Sequence, residues 1–163
     1  MNLTTVKGDL FQATRGLIVH GCNAQGVMGS GVAAYVKQKY PNAYQVYKRE
    51  HERNGLVVGT CTWAQVGHEL WVVNAVTQNT FGPGLQTDYE GLSRCFDTTE
   101  YLAQALDELT CGGEMLPLHF PKIGAGRGGG DWNVILKRIE DAVNPARPMF
   151  LYVVDEEPIY TRR

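Results

Sequence analysis

The chain has 163 residues, 44% hydrophobic and 20% charged, a globular composition with room for one domain whose core needs no disulfide or metal staple. Fifteen Lys and Arg against seventeen Asp and Glu leave a net charge of −2, which argues against broad nucleic-acid binding by counterion release and leaves only a local basic patch open. No apolar stretch approaches the ~20 residues that cross a bilayer, and Met1 to Lys7 lacks the apolar core of a signal peptide. A single cytoplasmic domain over 1–163 without a membrane partner is expected. Cys22, Cys61, Cys95 and Cys111 form no C-x-x-C pair, so free thiols are expected, with no zinc site, disulfide framework or cofactor.

Val6 before Lys7-Gly8-Asp9 and the run Leu17-Ile18-Val19-His20 before Gly21 read as buried strands that stop at glycine turns. Gly29-Ser30-Gly31 opens a helix over Val32 to Lys39, ended by Tyr40-Pro41, and Pro41 starts a second helix that stops near Asn54-Gly55. Leu56 to Trp63 and Leu70 to Val76 are extended, divided by Gly67-His68-Glu69. Thr87-Asp88-Tyr89-Glu90 has the pattern of a capping box, and Tyr89, Leu92, Phe96, Ala103 and Leu106 continue at helical spacing. A strand over Leu116 to Ile123, a helix carrying Trp132, Ile135, Leu136, Ile139 and Val143, and a strand over Met149 to Val154 complete the order. Alternating strands and helices predict an α/β fold with parallel crossovers and helices on both faces.

Nineteen glycines gather at two places. The loop Gly21 to Gly31 and the loop Gly124 to Gly130 each join a strand to a helix, where exposed amides and the positive end of the helix dipole suit an anion. Two such nests at neighbouring strand tips suit a diphosphate; taken singly, each loop is as well read as a tight turn. Gly124-x-Gly126-x-x-Gly129 matches the dinucleotide fingerprint, but a Rossmann unit needs more sheet after it than the chain has left, and no Lys-Ser/Thr follows for a P-loop.

Five segments in order, Val6-Lys7-Gly8-Asp9-Leu10, Val19-His20-Gly21-Cys22-Asn23 with Gly29-Ser30-Gly31-Val32-Ala33, Tyr40-Pro41, Thr80-Phe81-Gly82, and Pro121 to Gly126 with Trp132, carry a resemblance to macro domains. Within them the chain resembles the branch of the yeast ADP-ribose 1''-phosphate phosphatase and the human terminal ADP-ribose protein glycohydrolase. The resemblance implies a three-layer α/β/α macro domain with a mixed, largely parallel central sheet, and a ligand that is ADP-ribose or a derivative, free or protein-linked. It implies that Asp9, with the Leu10 amide, meets the adenine, that Asn23 holds the distal ribose, and that amides of Gly29, Ser30, Gly31 and Val32 and of Gly124, Ala125, Gly126, Arg127 and Gly128 hold the diphosphate. Tyr152 would flank the adenine and Phe81 would close over the distal ribose. Each has a plainer reading: Asp9 as a turn or helix cap, Tyr152 as a core residue, Phe81 as a loop anchor.

The expected chemistry is dephosphorylation of ADP-ribose 1''-phosphate, with a non-catalytic ADP-ribose-binding module and an ADP-ribosyl ester hydrolase as alternatives. His20, where the yeast phosphatase also carries a histidine, is the first candidate for proton transfer, and Asn23 the second catalytic position; a satisfied core histidine is the competing reading of His20. His119 is a weaker candidate. The lysine of the human glycohydrolase has no counterpart, since no Lys lies between Lys48 and Lys122 and its segment reads Val76-Thr77-Gln78-Asn79. Gly128 stands where that family's aspartate is expected, and Asp131 reads as a helix cap.

Overall fold

The computed structural model describes residues 1–110 and 112–153. Six strands, β1 (Asn2–Lys7), β2 (Gly16–Asn23), β3 (Cys61–Gly67), β4 (Leu70–Gln78), β5 (Leu118–Phe120) and β6 (Pro148–Val153), make one sheet in the order β1-β6-β5-β2-β4-β3. Every neighbouring pair is parallel except β3 with β4. The helices are α1 (Gly31–Lys39), α2 (Pro41–Asn54), α3 (Tyr89–Thr110) and α4 (Trp132–Ala142), and a short 3-10 turn spans Leu10–Gln12. The fold has the parallel crossovers and helices on both faces expected from the order of elements, and is the mixed, largely parallel α/β/α sandwich that the resemblance implies.

Side-chain alternation along the strands builds two cores. Leu17 and Val19 of β2 with Trp71, Val73 and Ala75 of β4 pack under Leu92, Phe96 and Ala103 of α3 and Ile135 and Ile139 of α4. Ile18 and Cys22 of β2 with Leu70 and Val72 of β4 pack under Val36 of α1 and Ala43 and Tyr47 of α2. Covered on both faces, β4 is buried from Leu70 to Thr77, and so reads as a continuous apolar run rather than an alternating one.

Local signals set several boundaries. Pro41 opens α2, where its missing N–H costs nothing, and Gly55 closes it at φ +75°, with its amide on the His51 carbonyl. Asp131 caps α4 by accepting the Asn133 amide at 2.9 Å. Other expectations need correction. The fifth strand is only three residues long because Pro117 and Pro121 stand just outside it and cannot donate to a ladder. The run expected from Leu56 becomes strand only at Cys61, after Gly59 turns at φ +96°, and β2 continues past Gly21 to Asn23. The capping box over Thr87 and Glu90 does not form: Asp88 accepts the Gly91 amide at 2.8 Å, while the Thr87 hydroxyl donates to the Gly124 carbonyl at 2.8 Å. Val154, expected in the last strand, and Cys111 lie outside the described residues.

Candidate functional site

The carboxyl ends of β2, β4, β5 and β6 open into a cleft of about 1210 Å³, larger than the ~300–1,000 Å³ of most small-molecule pockets and sited where open parallel sheets bind ligands. Both glycine loops line it, Gly21 to Asn23 and Gly29 to Val32 from one side and Gly124 to Gly128 from the other.

The two loops offer amides in different ways. On the first side, α1 begins after Ser30, which makes no side-chain capping bond, so the amides of its first turn have no partner within the helix. On the second side, loop strain is absorbed by glycine: Gly124 and Gly129 lie at φ +76° and +71°, and the Gly130 amide folds back to the Gly124 carbonyl at 2.7 Å. The amides of Gly126 and Gly128 donate to no protein acceptor among the described residues. A Cβ on Gly126 meets nothing within 4 Å, whereas one on Gly128 would strike the Thr87 hydroxyl and lie 2.7 Å from the Gly124 carbonyl. Gly128 therefore has no room for the aspartate expected at its position in the related glycohydrolase. Among the described lining residues the charged side chains are Lys122 and Arg127, both cationic, and no carboxylate lines the cleft.

The site residues read from the sequence divide into groups. Asn23, Gly29, Ser30, Gly31, Val32, Phe81, Gly124, Ala125, Gly126, Arg127, Gly128 and Tyr152 all line the cleft. The Asn23 side chain also ties its own loop, donating to the Val27 carbonyl at 3.0 Å and accepting the Gln25 amide at 2.9 Å. Phe81 is 58% exposed at the rim. The Tyr152 hydroxyl donates to His119 Nδ1 at 2.8 Å while His119 Nε2 donates to the Arg15 carbonyl at 2.7 Å, a pairing that assigns the neutral tautomer. Asp9 and Leu10 are not among the lining residues. Asp9 is exposed beside the last strand, where the Gly8 amide reaches the Val153 carbonyl, and caps the 3-10 turn by accepting the Phe11 amide at 2.9 Å; Leu10 is buried in the core under α1 and α2.

His20 is the main correction. Its ring is completely buried beneath α2 and away from the cleft, with Nε2 donating to Asn74 Oδ1 at 2.6 Å. Burial pulls its pKa down to about 4, against a smaller upward pull from Asn74, so it is neutral at pH 7 and cannot reach a ligand in the cleft. Even-numbered residues of β2 face α2, and the odd-numbered face cannot be told from the even one by a uniformly apolar strand. His119 is likewise buried, stacked on Phe150 at 5.3 Å, and outside the lining. Cys22 does border the cleft, but burial raises its thiol well above the usual range, which makes it a poor nucleophile. Among the described residues no cluster of His, Cys, Asp and Glu has the makings of a metal site.

Lys122, Thr77, Val27 and Trp132 also line the cleft without having been expected to bind. Lys122 follows the tip of β5 in a segment that carries the resemblance, which is the signal that marks it, whereas Thr77 lies within β4 and outside those segments.

An open, mostly parallel sheet with a cleft between two glycine loops at its strand tips has the architecture in which α/β domains bind ligands. The chain belongs to the Macro domain family, whose model matches residues 19–139. It is 27% identical over 159 residues to the DNA ADP-ribosyl glycohydrolase of Thermus aquaticus, a match that covers 94% of this chain and 41% of that protein. It is 47% identical over 47 residues to the ADP-ribose 1''-phosphate phosphatase of Ajellomyces capsulatus, 28% of this chain and 18% of the relative. The chain thus spans less than half the length of these two relatives. Among solved structures, a macrodomain protein from Streptomyces coelicolor superposes with a TM-score of 0.76 at 25% identity, over 93% of this chain and 98% of the other. The names of these two relatives describe reactions on ADP-ribosyl and ADP-ribose phosphate groups.

Proposed function

We propose that this macro domain binds ADP-ribose with its diphosphate between the two glycine loops and hydrolyses a bond at the distal ribose. The observation that carries the reading is the convergence of two sets of unpartnered amides on one cleft whose charged lining side chains, among the described residues, are Lys122 and Arg127. Oriented amides stabilise anions without reorganising, and in a partly enclosed cleft they act in a lower dielectric than water. Adenine would lie at the β6 end, beside Tyr152 and within reach of Asp9; the distal ribose would lie at the β4 end, beside Asn23 and Phe81.

The reaction proposed first is dephosphorylation of ADP-ribose 1''-phosphate. Water attacks the terminal phosphorus, the bond from phosphorus to the C1'' oxygen breaks, and the attacking water's proton ends on that leaving oxygen, giving ADP-ribose and phosphate. Lys122 and Arg127 favour this reading because an additional dianionic phosphate gains from cations at the cleft. With His20 withdrawn, the protein's contribution is orientation and charge stabilisation, and the substrate's own phosphate is the nearest proton acceptor. A second reading, hydrolysis of ADP-ribosyl groups from a nucleic acid, is favoured by the match to the Thermus relative along 94% of this chain.

Calorimetry with ADP-ribose tests the binding, and turnover assays separate the reactions. Phosphate release from ADP-ribose 1''-phosphate at catalytic enzyme concentrations is expected. Release only from ADP-ribosylated DNA selects the second reading, binding without either release leaves a binding module, and no binding removes the proposal altogether.

A further inference from the structure

Resting on that reading, we infer that Tyr47 is a positioning residue for the distal ribose: without touching the ligand, its hydroxyl fixes the carboxamide of Asn23 so that one N–H is offered to a ligand oxygen. Tyr47 is completely buried on α2, yet its hydroxyl reaches the first loop of the cleft, donating to the Asn23 carbonyl at 2.7 Å and to Asn23 Oδ1 at 3.1 Å. One proton is shared between the two, and the main chain holds the larger part. Burial pushes the phenol's pKa up, against a smaller downward pull from the amides of Val27 and Gly26, so the hydroxyl keeps that proton at neutral pH.

A carboxamide has two acceptor sites on its oxygen and two N–H donors. In Asn23, Oδ1 accepts the Gln25 amide at 2.9 Å as well as the Tyr47 hydroxyl, and Nδ2 donates to the Val27 carbonyl at 3.0 Å. An amide donor at the oxygen and a carbonyl acceptor at the nitrogen settle which way the group points. Among the described residues one N–H is left over, on a residue that lines the cleft, so Asn23 meets a ligand as a donor only. What it recognises at the distal ribose is an acceptor: a hydroxyl, ring or phosphate oxygen.

The support for this arrangement is α2. The register of β2 against β4 shifts between Cys22 and Asn23, and Tyr47 takes hold of the chain just past that irregularity. α2 is itself pinned one turn earlier, where the Ala43 carbonyl accepts Asn74 Nδ2 of β4 at 2.9 Å. Ala43 and Tyr47, four residues apart, share the buried face of the helix. One turn later His51 lies against the loop, where a side chain on Gly26 would strike its ring. The hydroxyl is therefore carried on a rigid element and stands in place before a ligand arrives.

The test is a double-mutant cycle of Tyr47→Phe, which removes the hydroxyl and keeps the buried ring, with Asn23→Ala. It is read by calorimetry with ADP-ribose and with ADP, which lacks the distal ribose. Tyr47→Phe is expected to bind ADP-ribose about fivefold more weakly, the scale of one hydrogen bond, and to bind ADP as the wild type does. Asn23→Ala is expected to lose at least as much on ADP-ribose. Adding Tyr47→Phe to Asn23→Ala is expected to cost nothing further, the coupling of a residue that acts through its partner; a residue that only supports the fold shows its loss in both backgrounds. Unchanged ADP-ribose affinity in either single variant, an equal loss on ADP in Tyr47→Phe, losses that add in the double variant, and failure of Tyr47→Phe to fold each overturn the inference. If the wild type binds ADP-ribose and the cycle shows no coupling, the functional reading stands without Tyr47; if the wild type does not bind, both fall.

Discussion

The two edges of one sheet are built on opposite rules. At the amino-terminal edge, Arg147, just before β6, is wholly buried against α3, with Nε on Glu100 at 2.7 Å, Nη2 on Asp107 at 2.9 Å and Nη1 on the Leu116 carbonyl at 2.9 Å. Asp107 also accepts the Leu116 amide at 2.7 Å, and Glu100 the Asn144 amide at 3.2 Å. At the carboxyl-terminal edge, the amides of Gly126 and Gly128, those at the start of α1 and the hydroxyl of Thr77 have no protein partner among the described residues. Polar groups satisfied inside the fold lock α3 to the sheet. Amides left over at the other edge are what a ligand has to satisfy. Stability and binding are therefore separable here by position along the strands.

The largest expected effect falls on the locked edge. Arg147→Met leaves Glu100 and Asp107 buried without a cation and is expected to cost about 3–5 kcal/mol in urea unfolding, while ADP-ribose affinity of the folded fraction is unchanged. Lost affinity at full stability would erase the separation between the edges.

The buried His20 sharpens the contrast through pH. Its folded pKa is about 4 against 6.5 when free, so the unfolded chain takes up a proton first as pH falls. Burying it as the neutral ring is stabilised above pH 6.5, and that contribution, about 3 kcal/mol, drains away as pH drops toward 4. Urea midpoints measured from pH 7.5 to 4 should decline across that window, and His20→Gln, which does not titrate, should flatten this part of the decline. An identical slope in the variant would dissociate the effect from His20.

On the open edge, Gly126→Trp adds a ring where there is free space and should leave the unfolding temperature nearly unchanged. ADP-ribose affinity should fall at least about 100-fold, about 2.7 kcal/mol; wild-type affinity would take the second loop out of the site. Asp9→Ala is the mildest change. It should weaken ADP-ribose binding by about 1–2 kcal/mol and lower stability by about 1 kcal/mol through loss of the cap on the 3-10 turn. Lost stability with intact affinity would leave Asp9 as a cap and nothing more.

Much of the fold and about half of the site's logic could be read along the chain. Pro41, Gly55 and Asp131 mark helix ends through their own dihedral limits and short-range hydrogen bonds, so the approximate span of α2 and the cap of α4 are legible in the sequence. The two glycine loops marked the lining of the cleft, because glycine backbone at a strand-to-helix junction leaves amides open wherever it occurs. Thr87 shows where local reading stops: its capping pattern was available, but the Gly124 carbonyl, 37 residues away, competed for the hydroxyl and won.

The amino-acid order by itself determined the alternation of strands and helices, the apolar faces that make two cores, and the places where main-chain amides would be left open. Only the tertiary structure decided that those places meet in one cleft, that His20 turns beneath α2 toward Asn74, and that Arg147, Glu100 and Asp107 converge from distant parts of the chain. The physical reason is range. Dihedral preference and side-chain periodicity act over a few residues, whereas which face a buried strand residue takes, and which partner a polar atom finds, is set by strand register and crossover between segments remote in sequence.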